Sequence, residues 1–290
     1  KMKKINLLTL MLAVLVMMMG VSAAYAQDLA EQASPEYVCG YYYQDGQRMN
    51  DCFGEKAEVL FGDADGINFV QQSEYYNRIG NYEAAISVPA VNGLADAEAE
   101  KALNDHFLNV AYALIDQFEA DAREALSEAT ESDELPYFMT SLNFSVVTDT
   151  ESVITLAVEN VTVGASSYTT QSYFNFDKGT RELMHMDDYF IAGTKAAEIL
   201  KNEIERQMNA QMEADSEVVY WIDEEDSEVE LNWDDVLATV GNNNGYYIDE
   251  NGDLVITFAK YEVAPGAMGN PKFVIPTDVV AAMDEALVQP

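Results

Sequence analysis

The stretch FMTSLNFSVVTDTESVITLAVENVTVGASSYTTQSYFNFDKG, Phe138 to Gly179, decides the fold. From Phe138 to Thr148 and again from Val153 to Val163, apolar and polar residues alternate as they do in a strand with one buried face. Asp149-Thr150-Glu151 supplies a turn between them, Tyr168 to Asp177 continues the pattern, and Lys178-Gly179 makes the next turn. Three such runs with short connections predict an antiparallel meander. Working outward, a helix stands on each side of it. Asp96 is the expected N-cap of a helix running to about Glu128, whose apolar residues Leu103, Phe107, Val110, Ala111, Leu114, Ile115 and Phe118 recur at three- and four-residue steps. A second helix is expected from about Thr194 to Glu213, with Ile199, Leu200, Ile204, Met208 and Met212 along one side. Strands and helices come in blocks without strict alternation, which places the chain in the α+β class: antiparallel sheets packed with two long helices.

The flanks add shorter elements. Ala57 to Phe61, Ile67 to Gln71 and Ala84 to Val88 read as strands, with turns at Gly62–Gly66 and at Asn92-Gly93. Tyr246 to Asp249 and Leu254 to Tyr261 read as a hairpin, because the intervening Asn251-Gly252 favours a turn that matches strand twist. A last strand is expected at Lys272–Ile275 and a short helix from Thr277. Residues 213–235 are dense in acids yet carry Val218, Val219, Tyr220, Trp221, Leu231 and Trp233, which predicts a lid or short helix packed on the body.

Residues 1–26 read as an address. Lys1, Lys3 and Lys4 precede an apolar run from Leu7 to Val21 and the small-residue close Ala24-Tyr25-Ala26, the layout of a secretory signal peptide cleaved before Gln27. The run is shorter than the roughly 20 residues that span a bilayer, so an exported chain without stable membrane insertion is expected, in the periplasm or outside the cell. Two cysteines, Cys39 and Cys52, flank the turn signal Asp45-Gly46, and a disulfide clamping that hairpin is the expectation for an exported chain. The chain carries 51 acidic against 15 basic residues, a formal net charge of −36. Such a surface repels phosphate backbones and anionic lipid, excludes nucleic acid as a partner, and admits a cationic one. A hydrophobic content of 49% rules out wholesale disorder. The expected division is a signal peptide at 1–26, a β-rich segment at 27–81, and two α+β domains at 82–180 and 181–290.

The catalytic inventory is thin. Only His106 and His185 are present, and neither HExxH, GxSxG, a P-loop nor a paired CxxC occurs. Pairs of carboxylates arise by chance among so many acids and identify no hydrolase. His106 and His185 with Asp187 or Asp188 have no spacing that requires a metal site. Asp63–Gly66 and Asp249–Asp253 each contain part of a calcium-loop pattern without the twelve-residue loop and terminal Glu, so no cofactor is expected, with calcium as the alternative. Tyr261–Pro271, YEVAPGAMGNP, stands apart. Two prolines and two glycines follow directly on a strong strand, which forces the chain into a defined shape and presents a rigid loop.

At this loop the text resembles a known family. FAKYEVAPGAMGNPKFVIP (Phe258 to Pro276), SYFNFDKGTRELMHMDDYF (Ser172 to Phe190) and AAISVPAVNGLADAEAEKALNDHF (Ala84 to Phe107) resemble, in order, segments of the exported domain shared by RsiV-type anti-sigma factors and the non-catalytic part of PdaC-type peptidoglycan deacetylases. The resemblance spans about 82–280. It implies an α+β domain pair, and in the RsiV-type proteins this region binds lysozyme. Neither the cytoplasmic anti-sigma segment nor the deacetylase domain is recognisable, so neither sigma-factor signalling nor deacetylation is expected. The expectation is a non-enzymatic exported binding module for an envelope ligand or a cationic protein such as lysozyme. Its candidate contacts are Tyr261, Glu262, Pro265, Met268 and Asn270, with Tyr246 and Tyr247 nearby. A carboxylate-dependent envelope hydrolase and a calcium-stabilised structural protein are the alternatives.

Overall fold

A computed structural model describes residues 38–44, 47–53, 59–128, 136–222 and 231–288. The signal-peptide region, the Asp45-Gly46 turn and the centre of the acidic 213–235 segment lie outside the described residues. The class is α+β, with mostly antiparallel sheets, as expected. The described residues divide into two compact units: those up to 60 with those of 68–92 and 96–142 form one, and those of 61–67, 93–95 and from 143 onward the other.

In the first unit, strands β1 (Val38–Gln44) and β2 (Gln47–Phe53) form an antiparallel hairpin whose register sets Cys39 opposite Cys52. β1 runs parallel to β4 (Asn68–Ile79), after the short β3 (Val59–Gly62), and β4 pairs antiparallel with β5 (Tyr82–Asn92). Both long strands outrun their sequence signal. Pro89 has no N–H to give the ladder, and the register shifts opposite it, between Gln71 and Ser73, so that β5 continues past the proline. Helix α1 (Ala97–Glu128) then crosses back so that β6 (Phe138–Asp149) pairs parallel to β5 through residues 138–142, a pairing that needs a long connection. Asp96 caps α1 as expected, its carboxylate accepting from the Glu98 and Ala99 amides at 2.8 and 3.2 Å. Phe107, Ala111, Ile115, Phe118 and Ala122 form the buried face of the helix. Asn104 fastens it: its side-chain amide accepts from the Val91 N–H at 2.8 Å and donates to the Val91 carbonyl at 2.9 Å.

The second unit holds the end of β6, then β7 (Val153–Val163), β8 (Ser167–Asp177) and the two-residue β9 (Glu182–Leu183), with β7 through β9 antiparallel in sequence order. A separate antiparallel sheet follows the order β10 (Tyr246–Ile248), β11 (Leu254–Thr257), β12 (Lys272–Ile275). Helices α2 (Lys195–Ala214), α3 (Trp233–Asn242) and α4 (Thr277–Val288) complete the unit, and its core gathers Leu200, Ile204, Met208, Ile256, Phe258, Phe273 and Ile275. α2 starts where expected, and Thr194 caps it, its hydroxyl accepting from the Ala197 amide at 3.2 Å. The short helix expected within 213–235 instead starts at Trp233. Leu237 and Val240 bury its inner face, and Gly241 lies so close to Phe190 that a Cβ there would sit 3.0 Å from the Phe190 Cβ.

One buried side chain joins the two sheets of this unit. Asn175 of β8 donates from Nδ2 to the Tyr246 carbonyl at 3.2 Å and accepts at Oδ1 from the Ile248 N–H at 2.9 Å. It thereby behaves as a missing rung along the outer edge of β10. Thr155 of β7 donates its hydroxyl to the same Oδ1 at 2.9 Å, and Thr148 of β6 donates to the Ile248 carbonyl at 2.7 Å. The three-stranded sheet is short, and these side chains satisfy backbone groups that its edge would otherwise leave bare.

Candidate ligand-binding loop

The segment from Ala259 to Pro271 leaves β11 and returns to β12, and the Phe258 N–H donates to the Pro271 carbonyl at 2.9 Å to close its base. Its first turn is reciprocal. The Glu262 N–H donates to the Ala259 carbonyl at 3.1 Å, while the Ala259 N–H donates to Glu262 Oε2 at 2.6 Å. Inside this turn Tyr261 holds φ +69°, a left-handed backbone that costs a side-chain-bearing residue energy and survives only where its surroundings fix it. Val263 and Ala264 are buried, and the Trp221 N–H donates to the Val263 carbonyl at 3.0 Å. Pro265 leads into a single 3-10 turn, Gly266–Met268.

The tip is held from outside as well. The Asn270 amide donates to the Thr169 carbonyl at 2.9 Å, and the Lys260 ammonium donates to the Ser166 hydroxyl and the Ser167 carbonyl at 3.1 and 3.0 Å. The same ammonium lies 5.0 Å from the centre of the Tyr261 ring. That ring covers Gly266: a Cβ on residue 266 would fall 2.2 to 2.4 Å from its Cε1, Cζ and hydroxyl. The loop therefore presents Tyr261, 39% exposed, in one pose on a tied frame.

The expected contact residues divide by burial. Tyr261 is exposed; Glu262, Pro265, Met268 and Asn270 are half-buried, with Met268 packed against the core. Tyr247 is half-buried, stacked on Tyr173 at 4.7 Å, and capped by the Lys272 ammonium at 5.6 Å from its ring. Tyr246 does not reach the surface. Its ring stacks on Phe190 at 5.1 Å, and its hydroxyl donates to Asp187 at 3.2 Å, so it belongs to the core. Burial, the Asp187 charge and the bond to it push its phenol up to about 12. Glu262 is the anomaly. Burial pushes its carboxyl up to about 7 against the opposing pull of the Ala259 N–H, and its Oε1 is buried without a hydrogen-bond partner.

The remaining sequence candidates have structural uses. Asp63 accepts from the Asp65 N–H at 3.0 Å, and Asp249 accepts from the Asn251 and Asp253 amides at 2.8 and 3.0 Å, so both carboxylates shape turns. His106 is exposed on α1, and exposed His185 approaches Asp187 at 3.8 Å. Among the described residues no group of three or more His, Cys, Asp or Glu side chains is arranged to hold a metal. A cleft of about 200 Å³ beside α4 is walled by Met186, Ile248, Leu254 and Val280, with the Tyr189 hydroxyl donating to Asp284 on its wall.

Comparison with known proteins singles out the same region. Residues 187–278 match a family model described as a protein of unknown function, DUF3298. The chain is 30% identical over 196 residues to the anti-sigma-V factor RsiV of Bacillus subtilis, a match covering 68% of this chain and 63% of that protein. The chain thus spans less than two thirds of the curated relative. Two solved structures of DUF3298 proteins are also similar. One from Bacteroides fragilis is 14% identical with a TM-score of 0.48 over 75% of this chain and 93% of that one. One from Pseudomonas aeruginosa is 13% identical with a TM-score of 0.41 over 76% and 94%.

Proposed function

We propose that this chain is an exported binding module of the cell envelope, and that it takes a cationic protein, of which lysozyme is the model, on the Tyr261–Asn270 loop. The observation that carries the reading is the loop itself: an exposed tyrosine held in a left-handed backbone conformation, backed by a glycine and tied down at both ends. A rigid aromatic presented by an ordered loop is the kind of group that anchors a protein interface at small entropic cost. The similarity to RsiV, which runs over two thirds of this chain, and the DUF3298 match over 187–278 support an envelope binding role over a catalytic one. The net charge of −36 favours a cationic partner and speeds its encounter at low salt. Among the described residues no helix is long and apolar enough to cross a membrane, which agrees with export of the body of the chain.

Calorimetric titration with lysozyme across a salt series tests the reading, with an acidic protein of similar size as control. Binding that weakens with salt is expected, and Tyr261→Ala is expected to weaken it at least about tenfold, the roughly 1.4 kcal/mol of a modest interface anchor. Absence of binding at low ionic strength, or Tyr261→Ala binding as tightly as the parent, removes lysozyme or the loop from the proposal.

A further inference from the structure

The loop contains a half-buried acid whose carboxyl oxygen Oε1 is fully buried, a feature its proposed role does not use. Glu262 sits one residue after the strained Tyr261 and, among the described residues, makes a single hydrogen bond, accepting the Ala259 N–H that closes the turn. Its second carboxyl oxygen is buried against the protein with nothing to accept from. A buried carboxylate normally has a cation or several donors around it, because removing its charge from water is costly. The groups facing it offer little. Lys260, the charge nearest in sequence, is committed to Ser166, Ser167 and the Tyr261 ring. Tyr168, from the start of β8, is held neutral: burial and the Glu262 charge both push its phenol up. Thr169 offers this loop only a carbonyl, already taken by Asn270.

We infer that Glu262 acts in its neutral, protonated form as the clasp that holds the Tyr261 turn closed, so that the loop is locked in mild acid and loosened in mild base. The neutral acid keeps the one bond the turn uses, since its carbonyl oxygen still accepts from Ala259, and it removes the uncompensated charge. Ionised, the carboxylate does best by swinging out to water, which releases the Ala259 N–H and the strained backbone at Tyr261. Glu262 is thus a positioning residue for the loop: it acts through the Tyr261 turn.

The direction of the linkage follows from the raised value. A carboxyl that ionises near 7 in the closed turn and near 4.5 in the open one binds its proton more tightly when closed. Its contribution to closure is complete below the lower value and is lost as the pH climbs through the upper one. The inference borrows its functional consequence from the loop-binding reading, but its test uses no ligand, so the two can fail separately. Amide hydrogen exchange, corrected for intrinsic rates, is measured in the mild acid and mild alkaline ranges. Protection of the Ala259 amide is expected to fall at least about tenfold between them in the parent protein and to stay level in Glu262→Gln, which keeps an acceptor and cannot ionise. Equal protection at both pH values in the parent, or a Glu262→Gln profile that tracks the parent, overturns the inference. Should the variant not fold, the carbon-13 titration of the Glu262 carboxyl in the parent decides: a midpoint near 7 supports the clasp, and one near 4.5 refutes it.

Discussion

Replacing Asn175 with Ala would strip β10 of the side chain that completes its outer edge. The Ile248 N–H and the Tyr246 carbonyl lose their partner on that side, and the Thr155 hydroxyl loses its acceptor in a site where Thr155 and Asn175 are 0% and 1% exposed. A buried polar group left unpaired costs about 1–3 kcal/mol. The Thr155 hydroxyl can rotate toward another acceptor, so two groups bear most of the cost. The space vacated by the amide is polar enough to admit water, which pulls the total toward the lower half of the range. A loss of about 3 kcal/mol results, or a melting-temperature drop on the order of 6–12 °C for a chain of this size. Chemical denaturation followed by circular dichroism reads it directly. Thr155→Val, which removes one hydroxyl and leaves the amide rung intact, should cost about 1 kcal/mol. The double variant should be less destabilised than the sum, because both changes act on the same Oδ1. If Asn175→Ala costs less than about 1 kcal/mol while the fold persists, the amide is not acting as a rung of the sheet and the argument fails.

Gly266→Ala puts a methyl where the Tyr261 ring lies, 2.2 Å from Cε1. The obstacle is the far end of a movable side chain, so stability should change by less than about 1 kcal/mol while the ring is displaced. Lysozyme titration of this variant should match Tyr261→Ala, and unchanged ring resonances for Tyr261 would show that the ring does not rest on residue 266. The β1–β2 register sets Cys39 opposite Cys52, and directly opposed residues of an antiparallel pair have Cα spacings of about 4.5–5.5 Å, within the reach of a disulfide. Protein purified from an oxidising compartment should therefore show no alkylatable thiol before reduction, and reduction should cost roughly 3 kcal/mol of hairpin stability. Two alkylated cysteines in unreduced protein would count against the bridge.

Local periodicity made most elements legible. The strands at 153–163 and 272–275 and the helix starting at Thr277 lie where alternation and turn residues put them, because one face of each is buried and the pattern reports that face directly. Strand lengths were less legible. A run ending at Val88 is what a following proline predicts, and only the partner strand, by shifting its register between Gln71 and Ser73, allows β5 to reach Asn92. The start of α3 was less legible because Asp234 and Asp235 in its first turn extend the acidic run that precedes it, while the residues that bury its inner face, Leu237 and Val240, lie beyond 235.

The candidate site shows a different limit, and it bears on how the loop works. Its glycines and prolines announced a defined shape, and the structure supplies one. What the residues could not show is which partners fix that shape. Asn104 and Asn175 both fall in segments that resemble the RsiV-type domain, and an asparagine inside a strand such as β8 is itself a weak signal, since strands disfavour it. Their amides complete strand edges through residues 13 and 71 or more positions away, which no local pattern encodes. Glu262 was harder still, one acid among 51. Its burial sets it apart only once the turn has folded around it. The same physics links the two cases. An asparagine with both ends of its amide satisfied makes a permanent joint, whereas a carboxyl with one oxygen left bare makes a joint whose strength depends on a proton. The frame beneath the loop is built from the first kind and the loop's own turn from the second. A change of pH near neutrality should therefore loosen the Tyr261 turn while the hairpin behind it, held by Asn175, stays protected. Exchange rates at Ile248 and Ala259, followed in one sample across that range, test this split: Ile248 amide protection that collapses in step with Ala259 would mean that loop and frame open as one body.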